Sequence, residues 1–247
     1  MKKQYYLKLF VCLLVGGLLF LGLTGPSASA KNDNNDVKLR VFVHYPKPGL
    51  DKGKPQGPVC QITANEQVAN YGLTGWKLPD SAVVYKINYN TNSFGISNDS
   101  LKLAVDNAFQ AWATSGLSFQ DGGATGAVRA QNDGINLVAW GSVPNNAIAV
   151  TYTWYYQNTG QWVESDTILN KKLKWAVTPY TTDCAGTAGA YDVQNIMTHE
   201  NGHWVGLDDL YDLASRDLTM YGYGFTGELK KDTLGWGDSL GVKSIYR

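Results

Sequence analysis

The stretch "NIMTHENGHWVGLDDLYD", Asn195 to Asp212, decides how the rest of this chain is read. His199 and His203 stand four apart, with Glu200 directly after the first, which is the H-E-x-x-H pattern. On a helix, residues four apart share a face, so both imidazoles can reach one metal ion while Glu200 stands beside it. By chance the pattern arises in roughly one chain in a hundred of this size. Here two of only three histidines fall inside it. A zinc site open for chemistry takes three protein ligands and keeps a position for water. Two ligands are in view, and Asp208, Asp209, Asp212 and Glu228 are the acidic candidates for the third.

The surrounding composition excludes little but guides the rest. The chain has 247 residues, 21 basic and 21 acidic, with a formal net charge of zero. A nucleic-acid partner usually announces itself as a basic patch or a high pI, so none is expected. Lys2, Lys3 and Lys8 precede the apolar run "LFVCLLVGGLLFLGL" (9–23), then Gly25-Pro26 and "ASA" at 28–30. That layout reads as a secretory signal peptide, residues 1–30, cleaved after Ala30. The apolar run is short for a membrane span, so a secreted protein with no membrane attachment after cleavage is expected. Cys12 leaves with the signal. Cys60 and Cys184 then form the one candidate disulfide of an oxidising compartment, worth about 4–5 kcal/mol in the chain-entropy model.

Residues 31–70 read as an N-terminal extension, either a short pro-segment or an accessory strand with a linker. Its stretch "VKLRVFVHYP" alternates like a strand. From 71 to 247 the pattern is that of one domain. "AVVYKINY" (82–89) alternates; "SNDSLKLAVDNAFQAWATSG" carries Leu101, Val105, Ala108 and Trp112 on one helical face, opening near Ser97 and closing at Gly116. "DGGATGA" (121–127) reads as a glycine-rich loop before the strand "INLVAW" (135–140). "AIAVTYTWYY" and "QWVESDTIL" read as a hairpin joined by "QNTG". The end, "GDSLGVKSIYR", reads as a closing helix. Strand, helix, several strands, then two helices is an α+β order.

Beyond His203 the chain continues "WVGLDD", with Gly206 three residues on and Asp209 six. The stretch resembles the metzincin signature H-E-x-x-H-x-x-G-x-x-H, in which the glycine lets the chain turn and return a third ligand to zinc. Aspartate replaces the third histidine here, as in the similar snapalysin-like enzymes. "LTMYGYG" (218–224) resembles the metzincin Met-turn, with Met220 beneath the metal and Tyr221 walling the substrate pocket. The likeness to matrixins covers about Trp76 to Tyr246. Asn201 departs from it, standing where these families are usually apolar. So does the surrounding of Cys60, which lacks the cysteine-switch motif.

The resemblance implies a twisted, mostly parallel sheet with an antiparallel edge strand, an active-site helix and a C-terminal helix. It implies zinc held by His199, His203 and Asp209, Glu200 as general base, and hydrolysis of peptide bonds in protein substrates. Those substrates would bind in extended form along "AIAVTYTWYY" as an added strand, to a monomeric enzyme. Structural calcium is a further candidate at Asp121, Asp133 or Asp166, although a solvated loop aspartate is the commoner state. Two rival readings stay open: an aromatic-rich secreted binding module, suggested by 15 Tyr and 8 Trp, and a catalytically inactive relative that only binds.

Overall fold

In a computed structural model, described for residues 36–48, 67–114, 116–144, 146–179 and 186–246, the alternating stretch near the N-terminus is a strand of the main sheet. Cys60, Cys184 and the signal segment lie outside the described residues. Elements follow in the order β1 (Val37–Pro46), β2 (Gly72–Leu73), β3 (Val83–Ile87), α1 (Asn98–Gln110), β4 (Phe119–Ala124), β5 (Asn136–Gly141), β6 (Ala149–Tyr156) and β7 (Gln161–Asn170). The C-terminal half adds β8 (Trp175–Ala176), β9 (Tyr191–Asp192), α2 (Val193–Trp204), β10 (Leu207–Asp208), β11 (Tyr223–Gly224) and α3 (Trp236–Ile245). The fold is α+β, with a seven-stranded sheet ordered β11-β1-β6-β7-β5-β3-β4. Strands β4, β3, β5 and β7 are mutually parallel, β6 runs against β7 as a hairpin, and β1 runs against β6. Among the described residues no helix is long and apolar enough to cross a membrane.

The expected antiparallel strand is present, but it is not at the edge. Residues Val37 to His44 of β1 pair with Tyr156 to Ala149 along the outer side of β6, and β1 in turn pairs with β11 in parallel. An unpaired strand of this length exposes a row of backbone donors and acceptors; here the chain's own N-terminal strand satisfies them. Two boundaries also moved. Helix α1 ends at Gln110 rather than at Gly116. Trp112, just beyond it, is buried and donates its indole N–H to the Thr198 carbonyl at 2.7 Å, so packing against α2 sets the direction of the chain. Part of the stretch read as a glycine-rich loop is β4, whose backbone pairs with β3 while only Phe119 is fully buried. A sheet edge asks for backbone groups, and glycine supplies those as well as any residue.

Helices α1 and α2 pack on one face of the sheet, around Val105, Phe109, Trp112, Ile196, Met197 and Trp204. Helix α2 starts where Asp192 accepts a hydrogen bond from the Asn195 N–H, a side-chain N-cap. Every residue from Asn195 to Trp204 is buried. This helix carries two histidines, a glutamate and two asparagines, Asn195 and Asn201, into the core.

Candidate metal centre

The end of α2 explains how the third acidic group returns. Gly206 has φ +100°, a left-handed conformation that suits glycine, and an added Cβ would meet the Trp76 carbonyl oxygen at 2.5 Å. The Trp76 indole N–H donates to the His203 and Trp204 carbonyls, at 3.2 and 3.3 Å. The chain then reverses through β10, and Leu210 exchanges backbone hydrogen bonds with Met220 and Gly222. Asp209 is thereby held opposite the two imidazoles. Met220 lies under Gly202, where any Cβ would collide with its sulfur and with the Trp112 ring. The buried Asp238 carboxylate accepts from the Thr219, Met220 and Gly235 N–H groups, at 2.7, 3.1 and 2.9 Å, and so fixes the turn at Met220.

His199, His203 and Asp209 form one cluster whose ligating atoms lie within 4.8 Å of one another. His199 Nδ1 faces the Thr219 carbonyl at 2.8 Å, and His203 Nδ1 faces the Leu207 carbonyl at 3.0 Å. Carbonyls only accept, so the proton of each neutral ring sits on Nδ1 and each Nε2 presents a lone pair. Those lone pairs face Asp209 Oδ1 at 3.3 and 3.6 Å. His199 Nε2 and Asp209 Oδ1 are buried and make no hydrogen bond. Lone pairs facing a carboxylate with no proton between them repel, and a cation placed among them reverses the sign. Ligands about 2.0–2.1 Å from a tetrahedral zinc lie roughly 3.3–3.4 Å from one another. The residues present therefore fit zinc.

The electrostatics agree. Burial holds the His199 imidazole well below its ordinary range, to about 3, with the Lys231 ammonium adding to the effect. Burial lowers His203 as well. For Asp209 burial pushes upward, but attraction to the His203 and His199 rings in their protonated form, helped by the Tyr211 hydroxyl, brings the carboxyl down, to about 2. Two neutral imidazoles and a carboxylate are the protonation states a metal needs. Tyr211 donates its hydroxyl to the other oxygen, Asp209 Oδ2, at 3.1 Å.

The remaining acidic candidates are committed elsewhere. Asp208 pairs with Arg40 at 2.6 Å, Asp212 accepts from Ser215, and Glu228 pairs with Lys230 at 3.0 Å. Of the calcium candidates, Asp121 pairs with Lys102 at 3.0 Å, and Asp133 accepts from the Ile135 N–H. Buried Asp166 accepts from the Gln131 and Leu137 N–H groups. None of the three joins a cluster of ligating side chains among the described residues.

Glu200 is fully buried beside this cluster. Its Oε2 accepts from the Thr151 hydroxyl at 2.6 Å, at the end of a relay from the Trp204 indole N–H through Thr167. Burial pushes its carboxyl up, to about 8, against the pull of Thr151. Its Oε1 faces His44 Nδ1 at 3.0 Å. Lys231 completes the group: buried, it donates to the Tyr221 and Tyr223 carbonyls, at 2.6 and 3.1 Å, and to His44 Nε2 at 3.2 Å. An ammonium can only donate, so His44 Nε2 accepts and its Nδ1–H donates to Glu200. Nothing in the sequence alone singles out Phe42, Thr151, Lys231 or Asp238. One signal was there for His44, the only histidine outside the motif, two residues from Phe42 on one face of an alternating strand.

No family model and no curated protein matches the chain.

Proposed function

We propose that the protein is a zinc-dependent endopeptidase of metzincin-like build, exported to an oxidising compartment. The observation that carries the reading is two buried imidazole Nε2 atoms and a carboxylate oxygen set at zinc-ligand spacing, with His199 Nε2 and Asp209 Oδ1 making no hydrogen bond. His199, His203 and Asp209 would hold the ion. When bound, zinc supplies Lewis acidity, lowering the pKa of a bound water and polarising a carbonyl. Glu200, its proton affinity raised by burial, takes a proton from the attacking water and returns it to the leaving amine. Thr151 fixes the carboxylate, and Asp238 holds the Met220 turn beneath the ligands. The α+β fold, with parallel β4, β3, β5 and β7 and an antiparallel β6, is compatible in general class with the resemblance, although β1 covers the strand expected at the edge.

Against the rival of an aromatic binding face, six of the eight tryptophans are buried in the core, while Tyr71, Tyr211 and Trp236 stay exposed. The test is cleavage of an unstructured protein by the full chain, with and without a chelator. Cleavage is expected to stop on chelation and to fall by several orders of magnitude in Glu200→Ala. Undiminished cleavage in either case would overturn the reading.

A further inference from the structure

Strand β1 occupies the side of β6 along which the proposed function places an extended peptide. It fills the outer side of β6, and its alternation turns Arg40, Phe42 and His44 toward the site while Leu39 and Val41 stay exposed. The Phe42 ring lies flat on His203, centroids 3.9 Å apart and planes 10° from parallel. The His44 ring covers His199 at 3.9 Å and hydrogen-bonds to Glu200. Arg40 anchors the strand to Asp208, the neighbour of Asp209. Thus one strand covers both imidazoles and engages the catalytic carboxylate. Meanwhile a cleft lined by Leu103, Asn107, Val177 and Gln194 contains none of these groups.

We propose that β1 is an internal competitor for the substrate groove, and that its side chains show what the groove recognises. The recognised peptide carries an aromatic ring over His203 and, two residues later, a side chain that accepts a hydrogen bond from Lys231. His44 is the internal example of the second, and histidine, glutamine or glutamate at that position in a substrate meets the same requirement. Lys231 is then a specificity-determining residue. It reaches the pocket from the turn Lys230–Asp232, with its ammonium held by two backbone carbonyls and turned to His44. An apolar side chain there would leave a buried donor without one of its acceptors, a loss that costs more than the hydrogen bond itself contributes. Strand addition supplies affinity through the backbone, and these two positions supply selectivity. This rests on the proposed function for the peptide path along β6; the pairing of β1 with β6 does not.

The experiment uses the full chain carrying Arg40→Ala, Phe42→Ala and His44→Gly, and a fluorescein-labelled peptide with the sequence of residues 36–48. By fluorescence anisotropy the peptide is expected to bind the triple variant and not the wild type. Replacing the histidine of the peptide by leucine is expected to weaken binding at least about tenfold. Adding Lys231→Met to the variant is expected to abolish that difference. The triple variant should also cleave an unstructured protein at least about tenfold faster than wild type at low substrate concentration. Should the triple variant fail to fold, Phe42→Ala alone is read the same way. A folded variant that ignores the peptide, or that binds the histidine and leucine forms equally, overturns the proposal. Peptide binding without chelator-sensitive cleavage in any variant supports the groove assignment and overturns the hydrolase reading instead.

Discussion

The Nε2 of His199 stands 3.3 Å from Asp209 Oδ1, and neither atom has a hydrogen-bond partner. The protein carries this unfavourable contact in its core, so whatever cation relieves it should stabilise the fold by mass action. Added zinc is expected to raise the melting temperature of chelator-stripped protein by several degrees, following about 4 kcal/mol at a thousandfold excess over Kd. Asp208→Ala and Asp212→Ala should respond like wild type, because those carboxylates are bound to Arg40 and Ser215. Asp209→His should recover part of the response. Calorimetric melting with and without zinc measures it, and an equal response in Asp209→Ala would refute the ligand set.

Thr151→Val tests the base. The hydroxyl donates to Glu200 Oε2 at 2.6 Å and favours the ionised carboxylate. Its loss should move the acidic limb of the kcat/KM profile to higher pH by about one unit, roughly a tenfold loss on that limb. An unmoved limb would mean that Thr151 does not act on Glu200.

Asn201 is fully buried in α2, and neither its amide oxygen nor its amide nitrogen has a partner. Leucine has the same branching without the polar atoms. Asn201→Leu is therefore expected to stabilise the fold by about 1–2 kcal/mol, a melting-temperature gain of a few degrees. A lower melting temperature would show that the amide is satisfied.

Asp232 gives a pH dependence. Burial pushes its carboxyl up, to about 8, with Asp192 and Glu228 adding repulsion, and its Oδ1 lacks a partner. The folded protein thus keeps a proton that the unfolded chain releases near pH 4. This contribution to stability is full below the unfolded pKa and is lost as pH rises through about 8. Melting temperature should fall between about pH 5 and pH 9, and fall less steeply in Asp232→Asn. Parallel slopes would contradict the assignment.

Much of the fold was legible because short-range patterns carry it. Alternation marked β1, β3, β6 and β7, and the histidine spacing marked α2 together with its turn at Gly206. What escaped was long-range. That "VKLRVFVHYP" would cover β6 depends on pairing between residues more than a hundred positions apart, to which alternation is blind. Lys231 sits between two other charged residues in a polar-looking segment, and only the tertiary fold buries it. Helix α1 stops short because Trp112 seeks the Thr198 carbonyl, a partner on another helix. Asp209 was reachable in sequence because a single glycine dictates where the chain can turn.

In the proposed enzyme His199, His203 and Asp209 hold a zinc ion beside a general base, Glu200, that is not itself a ligand. Elemental analysis of the purified full chain, Glu200→Ala and Asp209→Ala tests it directly. About one zinc per chain is expected in the first two and little in the third. Stoichiometric zinc in Asp209→Ala, or none in the wild type after purification in zinc-containing buffer, would contradict it.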